Sequence, residues 1–165
     1  LRFWLKDSAS LTRRLRDLCQ TSFRVNVLSQ QWCRPLFSER LALGLDDREF
    51  SLLRQVQLFC DGTPWVFART VIPRRTLQAR SRWLANLGNK PLGEVLFKHP
   101  SMQRQPVEVA TIQPGQPLFH EATDMTGEAS CEIWGRRSVF TINNRSLLVS
   151  EIFLPAMQHA LRRLR

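Results

Sequence analysis

The sequence predicts an α+β fold built on a single antiparallel sheet, and three observations carry this prediction. Apolar and polar residues alternate over 23–28, which is typical of a half-buried strand, and the runs over 48–60 and 65–72 on either side of a turn sequence are also predicted to be strands. Short turn sequences join neighbouring strands, DGTP at 61–64 and NNR at 143–145. Helical patterns are grouped between the hairpins and do not alternate with single strands, so a parallel βαβ arrangement is disfavoured.

The first half of the chain is predicted to contain one helix and three strands. Leucines recur at helical spacing over residues 10–19, with Ser10 or Asp7 as the N-terminal cap. The first alternating strand follows. Residues 35–47 are expected to form an irregular connection that carries a short strand or turn. The next two strands form a hairpin, which Pro73 ends.

The second half is predicted to contain two helices and then a second hairpin. Helical spacing extends over 76–87, and Gly88 is the expected stop. A short helix over 91–97 begins with Pro91, a residue suited to a first turn. The remaining predicted elements are a strand over 107–112 that 119–122 could continue, an exposed loop over 124–127, a hairpin of strands over 131–142 and 146–154, and a basic tail over 156–165 that could be helical or flexible.

Composition indicates one globular domain over residues 1–165. Hydrophobic residues make up 43% of the 165, and no apolar run approaches the length of about 20 needed to span a bilayer. For lack of such a run, stable membrane insertion is not expected, and residues 1–6 are too short an apolar start for a secretory signal. The formal charge of +10 is spread along the chain without a helix-turn-helix, zinc-finger or RNP signature. A solvated basic surface is therefore favoured over a nucleic-acid site.

The cysteines and histidines do not have metal-ligand spacing. The four cysteines are far apart, at positions 19, 33, 60 and 131, and the three histidines form no paired motif. We expect the cysteines to be small buried hydrophobes in a reducing compartment, which corresponds to a cytoplasmic location. No metal site is expected.

Two charged residues are the main functional signal, because strand alternation aims each of them at an apolar layer. Arg54 shares a face with Leu52, Val56 and Leu58, and Glu151 shares one with other apolar residues of its strand. An unpaired buried charge is very costly, so each must meet a partner. That partner could be the other charge, in a structural ion pair, or a polar ligand.

Three sequence blocks resemble the bacterial chorismate lyase family. Residues 58–73 (LFCDGTPWVFARTVIP) are similar to its central hairpin, and 87–93 (LGNKPLG) to its helical connection. WGRRS at 134–138 and LLVSEIFLP at 147–155 are similar to its closing hairpin. The blocks occur in the family's order. The stretch over 114–130 is longer than in the best-known members.

The resemblance implies an enzyme that converts chorismate to 4-hydroxybenzoate and pyruvate, without a cofactor, as the first committed step of ubiquinone biosynthesis. It also implies a monomer whose antiparallel sheet carries packed helices, with helical flaps over a buried ligand site. Chorismate and 4-hydroxybenzoate are then the expected small-molecule partners, and nucleic acid is not a partner.

The resemblance also assigns roles to individual residues. Arg54 matches the arginine that binds the ring carboxylate, and Glu151 matches the glutamate near the 4-hydroxyl, so these two are the catalytic candidates. Leu92 matches a leucine that makes a backbone contact. Another backbone contact to the ligand comes from the family's first helix, where a methionine-containing segment is similar to residues 10–14, and this chain has Leu11 there. Glu151 could donate a proton to the ether oxygen or, ionised, orient the ring.

The remaining arginines leave alternatives open. Arg69 could guide or clamp the anionic side chain of the substrate, and a surface pairing with a carboxylate explains it equally well. Arg136 and Arg137 point to opposite faces of their strand, so at most one can face the site. A solvated role for both is favoured.

Two other functions fit the sequence less well. A family of bacterial transcription regulators uses a similar fold as an effector-binding domain, but this chain has no helix-turn-helix pattern ahead of it. A basic nucleic-acid-binding protein would bring clustered arginines and exposed aromatic residues, which the sequence lacks.

Overall fold

A computed structural model describes residues 1–124 and 132–163, including all side chains except those of 79 and 80. The described strands are β1 (Phe23–Cys33), β2 (Ser51–Cys60), β3 (Thr63–Pro73), β4 (Gln103–Arg104), β5 (Glu108–Ile112), β6 (Ile133–Ile142) and β7 (Arg145–Phe153). They form one antiparallel sheet in the order β1-β2-β3-β7-β6-β4, and β5 also pairs with β6. The predicted α+β class with a single antiparallel sheet is confirmed.

The described helices are α1 (Arg2–Lys6), α2 (Leu11–Leu18), α3 (Phe37–Leu43), α4 (Leu92–Lys98), α5 (Pro117–Thr123) and α6 (Pro155–Arg163). Two 3₁₀ segments, Arg74–Leu77 and Ala79–Asn86, precede α4. Among the described residues, no helix has the length and apolar character that crossing a membrane requires.

The two faces of the sheet are covered by different helices. On one face, α1, α2 and α6 pack over one half of the sheet, and the second 3₁₀ segment and α4 pack over the other half. On the opposite face, α3 covers Leu53, Val71 and Leu148, and α5 covers Phe67 and Ile152. Alternation assigns each strand residue to one of these two layers.

Both predicted hairpins are confirmed, and their turns explain why. Asp61 and Gly62 have φ of 49° and 81°, and Asn143 and Asn144 have φ of 51° and 59°. Asp-Gly and Asn-Asn tolerate this left-handed backbone, which two-residue turns between twisted strands require. The predicted helix over 76–87 is 3₁₀ in geometry, and it ends before Gly88 at φ 54°.

Two element predictions are wrong, and both concern short segments. Residues 35–47 contain the helix α3, whose cap is formed by the Glu39 carboxylate accepting the Leu36 N–H at 2.8 Å. Residues 119–122 belong to helix α5 and do not continue a strand. Both helices have fewer than two turns, which is too short for a helical spacing of apolar residues to be recognised in the sequence. The start of the strand predicted from 131 and most of the loop predicted over 124–127 lie outside the described residues.

The expectation that all the cysteines are unpaired is also wrong, because Cys19 and Cys60 form a disulfide. Cys19 follows α2 and Cys60 ends β2, 41 residues later, so only the folding of α2 over the sheet brings them together. Spacing along the sequence carries no sign of such a pair. Cys33 is a free thiol.

Asp61 fastens the segment after α2 to the same end of the hairpin. Its carboxylate accepts the backbone N–H groups of Gln20, Thr21 and Ser22 at 3.0, 2.7 and 2.9 Å, and the Thr21 hydroxyl at 2.8 Å. These hydrogen bonds stabilise the ionised form, so they hold the pKa of Asp61 far below its usual range.

Asp61→Asn is expected to lower stability at neutral pH. Asparagine keeps the left-handed backbone but loses the charge and part of the acceptor capacity. Because the pKa is lowered by folding, the contribution of the carboxylate is present above about pH 4 and is lost as the pH falls below that value. Urea midpoints should therefore differ between wild type and variant at pH 7 and converge toward pH 2. A constant difference across this range would contradict the assignment.

Candidate functional site

A cavity lies under the helices on the face of the sheet that carries Arg54. Its floor is formed by β2, β3, β6 and β7, and its roof by α2, α4 and the residues just before them. The lining is mostly apolar, with a small set of polar side chains: Thr12, Arg54, Thr70, Arg104, Arg136 and Glu151. Apolar walls with a few placed polar groups are the usual construction of a small-molecule site.

The roof consists of two helices that approach closely. A Cβ on Gly93 of α4 would lie 3.4 Å from Thr12 Oγ1 of α2, which is van der Waals contact, so the two helices meet at this point. An ion pair also joins the helices, from Arg16 Nη1 to Glu94 Oε2 at 2.8 Å. Predicted site residues Leu11 and Leu92 stand in the first turns of the two helices, and both line the cavity.

Arg54 forms one end of the cavity. It is only 2% exposed, and its Nη2 donates to the Gly88 and Lys90 carbonyl oxygens at 2.8 and 3.4 Å. Nη1 donates to Gln30 Oε1 at 3.4 Å. Burial lowers the pKa of Arg54 from its ordinary high value. These neutral partners orient the guanidinium without neutralising its charge, which suits it to an anionic ligand.

Glu151 forms the other end of the cavity, and it pairs with Arg136, for which the sequence favoured a solvated role. Arg136 Nε donates to Glu151 Oε2 at 2.6 Å, and Arg136 Nη1 donates to the carbonyl oxygens of Trp4 and Asp7 at 2.8 and 2.6 Å. Arg136 is 3% exposed. The favoured solvated role for both Arg136 and Arg137 is therefore wrong for Arg136, while Arg137 lies on the opposite face and pairs with the exposed Glu108.

Arg54 and Glu151 are not an ion pair. Arg54 faces Thr70 across β2 and β3, Thr70 faces Val149 across β3 and β7, and Glu151 lies two residues further along β7. With strands about 4.8 Å apart and a rise of about 3.4 Å per residue, their Cα atoms are about 12 Å apart. The two charged side chains therefore line the same cavity from positions two strands apart.

Arg69 is not brought together with the other predicted site residues. It pairs in register with Gln55, the neighbour of Arg54, and therefore lies on the opposite face of the sheet. Its guanidinium binds both oxygens of Glu39, at 2.7 and 3.2 Å, and Glu121 at 2.7 Å. The carboxylate pairing considered for Arg69 is present, but it is buried and not at the surface.

Sequence reasoning missed Arg104 and Arg136, which both line the cavity. For Arg136 the sequence did contain a signal, because alternation along its strand requires that either Arg136 or Arg137 lie on the same sheet face as Glu151. The register places Arg136 directly opposite Glu151. Arg104 lies on the two-residue strand β4, which is too short to show alternation.

The fold and the cavity together define the class of this protein, a small-molecule-binding α+β domain whose helices enclose the ligand against a sheet. The chorismate lyase family model matches residues 1–162. The chain belongs to the chorismate lyase family.

Curated relatives agree with this assignment. The chain is 45% identical over 163 residues to a probable chorismate pyruvate-lyase of Azoarcus sp. (strain BH72), covering 95% of this chain and 85% of the relative. It is 40% identical over 159 residues to the protein of the same name from Aromatoleum aromaticum, with the same coverage of 95% and 85%. The protein of that name from Methylococcus capsulatus is 38% identical over 156 residues, covering 93% of this chain and 94% of the relative.

Two solved structures with a similar fold are domains of transcription regulators. The effector domain of PhnF from Mycobacterium smegmatis has a TM-score of 0.64 at 12% identity and covers 90% of both chains. The ligand-binding domain of a putative GntR-family regulator from Bordetella bronchiseptica has a TM-score of 0.58 at 13% identity, covering 82% of this chain and 86% of that one. Identities this low show a shared fold only.

Proposed function

We propose that this protein is a chorismate pyruvate-lyase, which converts chorismate to 4-hydroxybenzoate and pyruvate. Family membership and the names of the relatives support the proposal. The observation that carries it is a single cavity with a buried, uncompensated arginine at one end and a glutamate at the other, separated by apolar walls. An effector-binding domain is the second candidate, and its support is the shared fold alone.

In this proposal, Arg54 binds the ring carboxylate. The guanidinium has five N–H donors in a planar fork that matches a carboxylate, and its protein partners are neutral acceptors. Leu92 and Leu11 lie in the flaps, where backbone groups at the helix starts face the ligand. The ring then lies between Val56, Ala68 and Val149, which line the cavity between the two charged ends.

Glu151 orients the ring in this proposal by accepting the 4-hydroxyl as an ionised carboxylate. Its Oε2 accepts a 2.6 Å hydrogen bond from the Arg136 guanidinium, which fixes the orientation of the carboxyl group. Arg136 occupies Oε2, and none of the described residues donates a hydrogen bond to Oε1. That oxygen is therefore available to a ligand hydroxyl.

The reaction itself asks for little covalent chemistry from the protein. The C3–O bond of chorismate breaks with its electron pair staying on oxygen, C4 loses its hydrogen as a proton, and the ring becomes aromatic. The released enolpyruvate takes up a proton and becomes pyruvate. The contribution of the site is to hold ring and side chain in a reactive conformation and to exclude water, without a cofactor.

The ligand enters in this proposal by separation of the two roof helices. The cavity volume is about 40 Å³, room for about three water molecules at 10–15 Å³ each and not for a substituted ring. The exposed Arg16–Glu94 pair is a weak link, since surface ion pairs contribute about 0–1 kcal/mol. We further propose a monomeric enzyme that opens ubiquinone biosynthesis. The cytoplasmic location predicted from unpaired cysteines loses that support, because Cys19 and Cys60 are paired.

The function is tested by incubating purified protein with chorismate and following 4-hydroxybenzoate and pyruvate. Equal amounts of the two products, unchanged by a metal chelator, are expected. Tight 4-hydroxybenzoate binding without turnover would favour the effector-binding candidate instead.

The role of Glu151 is tested by the pH dependence of kcat/KM. An ionised orienting carboxylate predicts activity that falls as the pH decreases into the acid range, whereas a general acid predicts activity that falls as the pH rises. Glu151→Gln is expected to lower kcat/KM by about 10- to 100-fold, the value of a hydrogen bond to a charged group, and to remove the acid limb. A loss of activity on the alkaline side that disappears in the variant would assign Glu151 as the acid.

A further inference from the structure

The site as proposed above leaves one charged group of the substrate without a partner. Chorismate has a ring carboxylate and a second carboxylate on its enolpyruvyl group. Arg54 accounts for the first. Desolvating the second carboxylate in an apolar cavity would be very costly unless a cation receives it.

Arg104 is the cation in the right place. It lines the cavity from β4, and its Cζ lies 5.1 Å from the ring centroid of Phe140 and 5.9 Å from that of Phe97. Its Nε donates to Ser138 Oγ at 3.0 Å and its Nη1 to the Ser8 carbonyl oxygen at 2.8 Å. The Nη2 group donates to none of the described residues, so the guanidinium is fixed and still has free donors.

The charge balance of the cavity also points to a second anion. Three arginines line it, Arg54, Arg104 and Arg136, against the single carboxylate of Glu151. Asp7, which lies near Arg104, is already in an ion pair with Arg14. An excess of two positive charges matches the two carboxylates of chorismate. The product 4-hydroxybenzoate has only one.

The position of Arg104 agrees with the connectivity of the substrate. Ser138, which Arg104 bonds, is two residues from Arg136 on the same face of β6, and Arg136 pairs with Glu151 across the sheet. Two residues of strand span about 7 Å. In chorismate the enolpyruvyl ether at C3 is adjacent to the C4 hydroxyl. When the hydroxyl binds Glu151, the enolpyruvyl group therefore lies close to Glu151, where Arg104 can reach its carboxylate.

We propose that Arg104 is a substrate-binding residue that receives the enolpyruvyl carboxylate and so distinguishes chorismate from 4-hydroxybenzoate. This rests on the proposed function. Burial, and the charge of Arg136 beside it, lower the pKa of Arg104, while Glu151 and Asp7 oppose this. An incoming carboxylate compensates the same desolvated charge. Arg54 and Arg104 then hold the two ends of the substrate, and only Arg54 keeps an anionic partner after pyruvate leaves.

The test compares Arg104→Met and Arg104→Lys with Arg137→Met, a control on the opposite sheet face. Arg104→Met is expected to lower kcat/KM for chorismate by about 100-fold or more, as for a desolvated charge pair, and to change the Kd of 4-hydroxybenzoate by less than about threefold. Arg104→Lys keeps the charge and should recover part of the loss. Competitive inhibition by pyruvate should weaken in Arg104→Met and stay unchanged in Arg137→Met.

The outcomes separate this proposal from a structural role. A merely structural arginine, which holds Ser8 and so the α1–α2 connection, would weaken 4-hydroxybenzoate and chorismate equally, and that result would overturn the proposal. Unchanged kinetics in Arg104→Met would overturn it as well. Thermal unfolding of each variant checks folding. If wild type neither converts chorismate nor binds 4-hydroxybenzoate, the proposed function fails, independently of Arg104.

Discussion

Arg54→Ala is expected to weaken the binding of both chorismate and 4-hydroxybenzoate by about 2–5 kcal/mol, the cost of losing one partner of a desolvated charge pair. Both ligands carry the ring carboxylate, so both should be affected, in contrast to the Arg104 variants. The guanidinium is 2% exposed and has no anionic partner among the described residues. A ligand carboxylate is therefore its only proposed counter-charge.

Calorimetry with 4-hydroxybenzoate and steady-state kinetics with chorismate measure this effect. Arg48→Ala, which removes an exposed arginine of the same chain, is the matched control for the change in net charge. Arg54 also holds the Gly88 and Lys90 carbonyl oxygens, so Arg54→Lys provides a second variant that keeps the charge without the planar fork. Normal affinity for 4-hydroxybenzoate in Arg54→Ala would remove Arg54 from the site.

The sheet face on which Arg54 and Glu151 lie could be predicted from the sequence, because successive side chains of a strand point to opposite faces. Once the strands are recognised, parity alone decides which side chains share a face, and the register confirms both predictions. The hairpins were accessible for a similar reason. Asp61-Gly62 and Asn143-Asn144 fit a turn conformation that few residues tolerate.

The pairing of the charges could not be predicted, because it depends on strand order. Parity showed that Arg136 and Arg137 point to opposite faces, but β6 and β7 had to be aligned before Arg136 could be placed opposite Glu151. Arg104 is brought in by a strand of two residues, and the Cys19–Cys60 disulfide by the fold of a helix over the sheet. Contacts between distant segments of this kind leave no local pattern.

Arg54 and Arg69 show how neighbouring register positions lead to different chemistry. Arg54 pairs with Thr70 and Gln55 pairs with Arg69, so the two arginines lie in adjacent rows on opposite faces. Arg54 has neutral partners, whereas Arg69 binds Glu39 through two parallel bonds and Glu121 through a third. Burial lowers the pKa of Arg69, but Glu39 and Glu121 outweigh this and raise it. We infer that Arg69 mainly stabilises the fold.

Arg69→Met is accordingly expected to lower the free energy of unfolding by about 3–5 kcal/mol, because it leaves the Glu39 carboxylate buried without its counter-charge. Glu39 is 3% exposed, and its other described donor is the Leu36 N–H. The double variant Arg69→Met/Glu39→Leu also removes the unpaired Glu39 carboxylate, so it should recover much of the stability. Urea unfolding at pH 7 measures both variants, with Arg137→Met as the exposed control. Should Arg69→Met stay as stable as wild type but lose turnover of chorismate, the stabilising role would be wrong and the predicted substrate clamp at Arg69 would stand.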